Sequence, residues 1–399
     1  MIDIVYFEKH VPEGIFYNFN QPKFGYTLNL GDFVRYHFEH RLVNIPDYAN
    51  DTYVFMAICS PDNLHQVNIS QLIKTLPDSF KLNITVSFPM ETFFQKNIIE
   101  FIKSLLSRYQ KANFFFSYGN ANIDSTYIKE VLDRRVTYIP NPLFELHYTD
   151  YIKRNSTSVP EQKNLIKKFL IPIRQAKPFR MFMYVFAHNN GILENSYYSW
   201  TTENVYHCFS CLNEDNKWKF DKNEHMDLLT TRVVLDPSDT REMRLKQWDM
   251  PDHLISTSFL QLVCETTFNE GEEKAHPVIF LTEKTYKPIF YKQPFILFSE
   301  PHSLRYLKSM GYKTFSSIIN EKYDEIEDSS LRMSLILTEI AKINKKSLEE
   351  LTEIRKQIND IVEHNFNLLM SRPSEAVLIN HIENTLFYGK QRNRTVIGQ

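Results

Sequence analysis

Short apolar runs that alternate with amphipathic stretches constrain this chain more than any other feature. Ile2 to Phe7, Tyr53 to Ile58, Leu82 to Phe88, Asn113 to Ser117 and Val136 to Ile139 are brief and rich in β-branched or aromatic residues. Between them, Val67 to Leu76, Phe93 to Tyr109 and Ser125 to Leu132 carry apolar residues at helical spacing. Such alternation predicts βαβ units and a parallel sheet. The ligand edge of such a sheet is at the C-terminal ends of its strands.

A second α/β pattern follows. Phe179 to Phe186 (FRMFMYVF) is expected as a strand. So are Val233 to Leu235, the end of Leu254 to Cys264, Pro294 to Phe298 and Tyr312 to Phe315. Leu331 to Leu369 reads as mostly helical, and Ser374 to Phe387 as one more amphipathic helix after Pro373. Between the two patterns, Tyr148 to Pro178 is basic and punctuated by Pro160, Pro172 and Pro178. The expected organisation is a Rossmann-like domain over 1–150, a basic interdomain segment over 151–178, and a second Rossmann-like domain over 179–370. A C-terminal helix within 371–399 is expected to pack back on the first domain. Two such halves predict a two-lobed enzyme with a cleft.

Composition narrows the chemistry. Only 9 of 399 residues are glycine, against 22 tyrosines and 31 phenylalanines. No G-x-G-x-x-G and no G-x-x-x-x-G-K-[ST] occurs, which excludes a glycine-lined phosphate cradle. The net charge is −2, so a polyanion partner would need a local patch. No apolar run approaches the roughly 20 residues that span a bilayer. The start, MIDIVYFEKH, lacks a signal-peptide layout, and four cysteines are no disulfide framework. These readings predict a reduced, cytoplasmic protein with no membrane contact.

The most informative stretch is Phe280-Leu-Thr-Glu-Lys-Thr-Tyr-Lys-Pro-Ile289. Thr282 is a good N-cap and Glu283 falls in the first turn, so a short helix over Glu283 to Tyr291 is expected. A helix start suits a diphosphate. Lys284 and Lys287, three apart, add positive charge on one face. Glu283 can accept a pair of ribose hydroxyls. Carboxylate and ammonium at a helix start thus form a nucleotide-sugar grip that needs no glycine. Thr-Glu-Lys is also common at ordinary helix starts; its setting between strands gives it weight here.

Leu262-Val-Cys-Glu-Thr266, Phe280-Leu-Thr-Glu-Lys284 and Pro294-Phe-Ile together resemble the donor half of GT-B glycosyltransferases. The Thr-Glu-Lys part is similar to the alpha-1,3-fucosyltransferases. It is more similar still to phage-encoded DNA-modifying glycosyltransferases with Thr-Glu-Lys-x-x-Lys-Pro-Ile and then Leu-x-x-Gly-[Phe/Tyr]-Lys-Thr-Phe. The second element stands here as Leu304, Leu307 and Gly311-Tyr-Lys-Thr-Phe315. The resemblance covers roughly residues 250 to 316. It implies an α/β GT-B fold and a nucleoside diphosphate sugar donor, a UDP-sugar. It implies that Glu283 and Lys284 hold ribose and phosphates, with Thr282 and Lys287 beside them, and that Glu265 lines the sugar site. Phe280 replaces the family's tyrosine. The family often places an arginine after the first strand of the donor domain. The loop expected there, Ala187-His-Asn-Asn-Gly191, has none, so His188 or Arg180 is expected to supply that cation.

The resemblance also implies an acceptor on double-stranded phage DNA carrying hydroxymethylated cytosine. A glycan or lipid-linked acceptor is the alternative. A second alternative is a non-catalytic nucleic-acid-binding protein. Lys153, Arg154, Lys163, Lys167 and Lys168 could hold phosphates, with Tyr148, Tyr151 and Phe169 stacking bases. The same stretch is also readable as a solvated linker. An inverting transfer needs a base. Asp32 and Glu91 are the candidates; an N-cap and a first-turn acid are their plainer readings. Cys208-x-x-Cys211 after His207 is half of a zinc pattern with no second pair. No Asp-x-Asp is present, and no metal or other cofactor is expected.

Overall fold

We analysed a computed structural model of the chain. It describes residues 157–202, 205–214, 223–235, 250–268 and 279–372, the helix over 143–155, six strands before it, and a few residues within 100–110 and 220–221. Asp32, Glu91 and the helices expected over 67–76, 125–132 and 374–387 lie outside the described residues. The chain divides into two compact units, residues 1–147 with 373–399, and residues 148–372.

The first unit contains a six-stranded sheet. Its strands are β1 (Ile2–Tyr6), β2 (His40–Leu42), β3 (Tyr53–Ala57), β4 (Asn83–Phe88), β5 (Asn113–Tyr118) and β6 (Val136–Pro140). All pair in parallel, in the order β2-β1-β3-β4-β5-β6. Five of the six match the apolar runs. The exception, β2, is three residues long and polar, so it has no alternation to read.

Helix α1 (Leu143–Asn155) runs across the boundary at residue 148, and the first strand of the second unit is β7 (Lys167–Pro172). Next come α2 (Pro178–Asn189), β8 (Ser196–Ser199), α3 (Val205–Glu214), α4 (Met226–Thr230) and α5 (Asp252–Ser256). Strand β9 (Ser258–Cys264), α6 (Glu283–Phe290), β10 (Phe295–Phe298) and α7 (Ser303–Ser309) complete the α/β part. Helices α8 (Ser329–Asn344), α9 (Leu348–Gln357) and α10 (Asn359–Ser371) close the unit, as the pattern over 331–369 predicts. The sheet is again parallel, in the order β10-β9-β7-β8. Every residue of β9 and β10 is buried, as expected of strands covered on both faces.

Four expectations are corrected. Phe179 to Phe186 is not a strand but the body of α2. Pro178 occupies the first turn, where its fixed φ and missing N–H are tolerated. Seven residues of α2 are buried, including both Phe179 and Arg180, so its apolar run goes round the helix. A continuous run of that kind does not separate buried helix from buried strand. The basic stretch over 151–178 is not a linker throughout, because it contains β7, a central strand. Phe169, Leu170 and Ile171 of β7 are all 0% exposed. Tyr312 to Phe315 is not a strand and pairs with none among the described residues. Side chains hold its backbone instead: Asn365 accepts from the Lys313 N–H and donates to its carbonyl, both at 2.8 Å. The Phe315 N–H donates to Glu321 at 2.7 Å. Val233 makes only an isolated antiparallel bridge, to Trp200. Trp200 itself is fully buried, stacks on Tyr184 at 4.5 Å, and donates its indole N–H to the Leu229 carbonyl at 2.8 Å.

Gly311 ends α7 with φ 93°, in the left-handed region, and a Cβ there would lie 3.3 Å from Leu368 Cδ2. Gly311→Ala is expected to cost about 1–2 kcal/mol, mostly from that backbone conformation. Urea denaturation of the two proteins checks the difference.

Candidate functional site

The strand order places a crevice. From β7 the chain moves to β8 on one side, then returns across to β9 on the other. The loops after β7 and β9 therefore diverge, and ligands of such sheets bind at that divergence. The loop after β7 is Ile173 to Lys177, which carries Arg174 and Lys177. The loop after β9 begins with Glu265 and Thr266, and leads by residue 282 into α6.

Arg180, in the first turn of α2, ties the two loops together. Its guanidinium donates to the Gln175 carbonyl at 3.1 Å, the Cys264 carbonyl at 3.0 Å and the Glu265 carbonyl at 2.5 Å. It is 5% exposed, and its Nε has no hydrogen-bond partner. Burial pulls its pKa below the ordinary arginine value, against the opposing pull of Cys264, Glu265 and Glu283. Arg180 thus joins the crevice walls and does not offer its charge to a ligand. Burial also pushes the Cys264 thiol up to about 12, which removes it as a nucleophile.

The start of α6 forms the opposite wall. Thr282 is the N-cap, and its hydroxyl accepts from the Lys284 N–H at 3.4 Å. Glu265, expected to line the sugar site, has a fully buried side chain. It accepts from the Thr282 N–H at 2.9 Å and from the Thr282 and Thr285 hydroxyls at 2.6 Å each. Its acceptors face the helix start and not the crevice. Lys284 Nζ lies 2.9 Å from the Thr282 hydroxyl, 3.7 Å from Glu283 and 3.9 Å from Glu265. Lys177 Nζ donates to the Thr266 carbonyl at 2.5 Å, and Lys284 Nζ to the Thr266 hydroxyl at 3.4 Å. Side-chain exposure is 29% for Lys284 and 13% for Glu283, so Lys284 is partly accessible and Glu283 is largely covered, while Arg174 on the loop after β7 is exposed. Burial raises the Glu283 pKa, but Lys284, Lys287 and hydrogen bonds at the helix start outweigh it and hold the carboxyl below its ordinary value. Lys287 itself is buried along α6. The arrangement offers an ionised carboxylate beside an ammonium, with two further cations across the crevice.

Misreading α2 as a strand also misplaced its ends. His188 lies in the last turn of α2, a 12-residue helix that starts beside the crevice. At about 1.5 Å per residue, the ten residues from Pro178 carry His188 roughly 15 Å away, to the N-terminal edge of the sheet. The loop that does follow the first strand contains Arg174, which sequence reasoning passed over as part of a linker. The Phe169-to-Pro172 run, ended by proline and followed by two cations, is the signal for it.

The lysines expected at nucleic acid are dispersed. Lys167 and Lys168 begin β7, at the edge opposite the crevice, and donate to the Glu194 and Asn344 carbonyls at 2.6 Å each. Lys163 is exposed, and its carbonyl accepts from Arg355 at 2.9 Å. Lys153 donates to the Arg372 carbonyl at 3.0 Å. The side chain of Arg154 lies outside the described residues. Tyr148 and Phe169 are buried in the core, at 1% and 0% exposed, and have no face to offer a base. The Cys208 thiol donates to the Ala176 carbonyl at 3.4 Å. Among the described residues, no group of three His, Cys, Asp or Glu side chains could hold a metal ion, and no helix is long and apolar enough to cross a membrane.

No protein-family model matches the chain, and no curated protein matches it in sequence. Solved structures similar to it include a phage protein and a bacterial synthase. A mutant of the T4 phage BGT in complex with UDP-glucose aligns with TM-score 0.46 and 11% identity, over 97% of this chain and 99% of that one. The alpha,alpha-trehalose 6-phosphate synthase of Burkholderia multivorans aligns with TM-score 0.35 and 10% identity, over 83% and 76%.

The Glu283 carboxyl supports folding through its depressed pKa. That contribution is complete above the ordinary carboxylate value and fades as pH falls through the depressed one. The stability gap between wild type and Glu283→Gln is expected to be constant near neutrality and to narrow below about pH 4. Urea titrations across that range test it; a gap that is unchanged in acid contradicts the assignment.

Proposed function

We propose that the chain is a GT-B glycosyltransferase that uses a nucleoside diphosphate sugar, a UDP-sugar, bound in the crevice between β7 and β9. The observation that carries this reading is the pair Glu283 and Lys284. They are partly accessible at the start of a capped helix, beside the divergence of a parallel sheet, with Arg174 and Lys177 on the facing loop. An ionised carboxylate accepts from two ribose hydroxyls, and cations match a diphosphate. The resemblance over residues 250 to 316 gives the same roles to the same two residues.

In the proposed reaction the bond between the sugar's anomeric carbon and the diphosphate breaks, and a bond to an acceptor oxygen forms. The acceptor loses its hydroxyl proton. Negative charge that develops on the leaving UDP is stabilised by Lys284 and Lys177, both already hydrogen-bonded in place, and by the exposed Arg174. Asp32 and Glu91 are the proposed bases.

The proposed acceptor is a hydroxymethylated cytosine in duplex DNA, which rests on the phage-type motifs at residues 282–289 and 304–315. A base of that kind would have to leave the stack to reach the donor. The use of Lys167 and Lys168 on carbonyls of their own unit favours a second reading, a glycan hydroxyl acceptor.

A thermal-shift panel of UDP-, GDP- and ADP-sugars tests the donor. UDP-sugars are expected to raise Tm, and Glu283→Ala or Lys284→Ala to weaken binding by about 10- to 100-fold, the loss of a charged hydrogen bond. No shift with any donor refutes the reading. Arg174→Ala is expected to weaken UDP binding about tenfold, with a reduced salt dependence. Labelled donor incubated with hydroxymethylated DNA, plain DNA and glycans separates the acceptors.

A further inference from the structure

Glu265 is a buried anion for which the donor chemistry above has no use. Its side chain is 0% exposed, so it does not touch a sugar in the crevice. Its backbone is held from two sides: the N–H donates to the Phe298 carbonyl at 2.9 Å, and its carbonyl accepts from Arg180 at 2.5 Å. The carboxylate in turn is committed to the first turn of α6. Oε1 accepts from the Thr282 N–H and the Thr285 hydroxyl, and Oε2 accepts from the Thr282 hydroxyl, all within 2.9 Å.

The last of these bonds has a directional effect. The Thr282 hydroxyl gives its proton to Glu265, which leaves its lone pairs for Lys284. Lys284 Nζ donates to that oxygen at 2.9 Å. A contact chain therefore runs from the end of β9, through one carboxylate and one hydroxyl, to an ammonium on the crevice rim. Three hydrogen bonds satisfy the buried Glu265 carboxyl, which would otherwise be costly to bury. Glu283 and Lys284 lie between Thr282 and Thr285, the two residues that Glu265 holds.

We propose that Glu265 is a positioning residue for the donor: it fixes Thr282 and Thr285 and so aims Glu283 and Lys284 at the nucleotide. The role rests on the donor reading above. Glu265→Gln is the sharpest probe, because it keeps shape and one oxygen but replaces the other with a donor. That donor would face a hydroxyl already accepting from Lys284.

The full chain is titrated with UDP by calorimetry as wild type, Glu265→Gln, Thr285→Val and Thr285→Ser. Amide exchange is followed at residues 283–286 and 295–298. Glu265→Gln is expected to weaken UDP binding about tenfold and to speed exchange at 283–286 while 295–298 keep their protection. Thr285→Val is expected to show a smaller loss, and Thr285→Ser, which keeps the hydroxyl, to restore wild-type affinity. A general loss of stability would not follow the hydroxyl in this way. If Glu265→Gln does not fold, the two Thr285 variants decide: equal affinities overturn the proposal. Wild-type affinity in folded Glu265→Gln also overturns it and leaves the donor reading intact. A wild-type chain that binds no UDP overturns both.

Discussion

The parallel pairing of β7 with β9 governs the second unit. Both strands end on one edge, and their chains leave in opposite directions along the sheet. That geometry opens a crevice without any loop designed to form one. It also leaves two loops with no backbone ladder between them. Arg180 supplies the missing link, with donors to Gln175 on one side and to Cys264 and Glu265 on the other. The same arginine explains why so large a charge is tolerated at 5% exposure. Its two terminal nitrogens donate to three main-chain carbonyls.

Much of the architecture was legible in sequence because short apolar runs bounded by turns report parallel strands directly. Five strands of the first unit, β9, β10 and the closing helices follow from that pattern. Two of the failures, the strand expected over 179–186 and the linker expected over 151–178, share one cause. Phe179 to Phe186 is apolar on every side, because α2 is buried nearly all round. Periodicity carries no signal in such a segment, and the remaining cue was Pro178 at the first turn. Reading it as a strand pushed β7 into a supposed linker and moved the ligand edge by one element. His188 then stood in the loop expected after the first strand, whereas the loop that follows β7 carries Arg174.

The Thr-Glu-Lys segment was legible for a different reason. N-cap chemistry is local, so Thr282 and Glu283 reveal a helix start without tertiary knowledge. The role of Glu265 was not legible. Its partners lie 17 and 20 positions later, and nothing in its own neighbourhood separates a carboxylate that meets solvent from one that meets two threonines. Burial is a property of the folded sheet, here of a strand closed in on both faces.

Side chains in this unit repeatedly do for the backbone what strands or bare loops do elsewhere. Asn365 clasps Lys313, Asp324 accepts from the Leu304 and Arg305 amides at 2.8 and 2.9 Å, and Arg180 gathers carbonyls around the crevice. Arg332, 1% exposed, does the same for Phe268, Ser299, Ile326 and Glu327. Such contacts engage main-chain atoms, which every residue type possesses. The consequence is a division of tolerance along the chain. At positions such as 313 or 304 the identity of the side chain matters little to the bond that holds them. At the distant anchors it is decisive. A glycine-rich loop concentrates its sequence requirement where the ligand sits; this chain moves that requirement to residues tens of positions away, and leaves its loops room to drift.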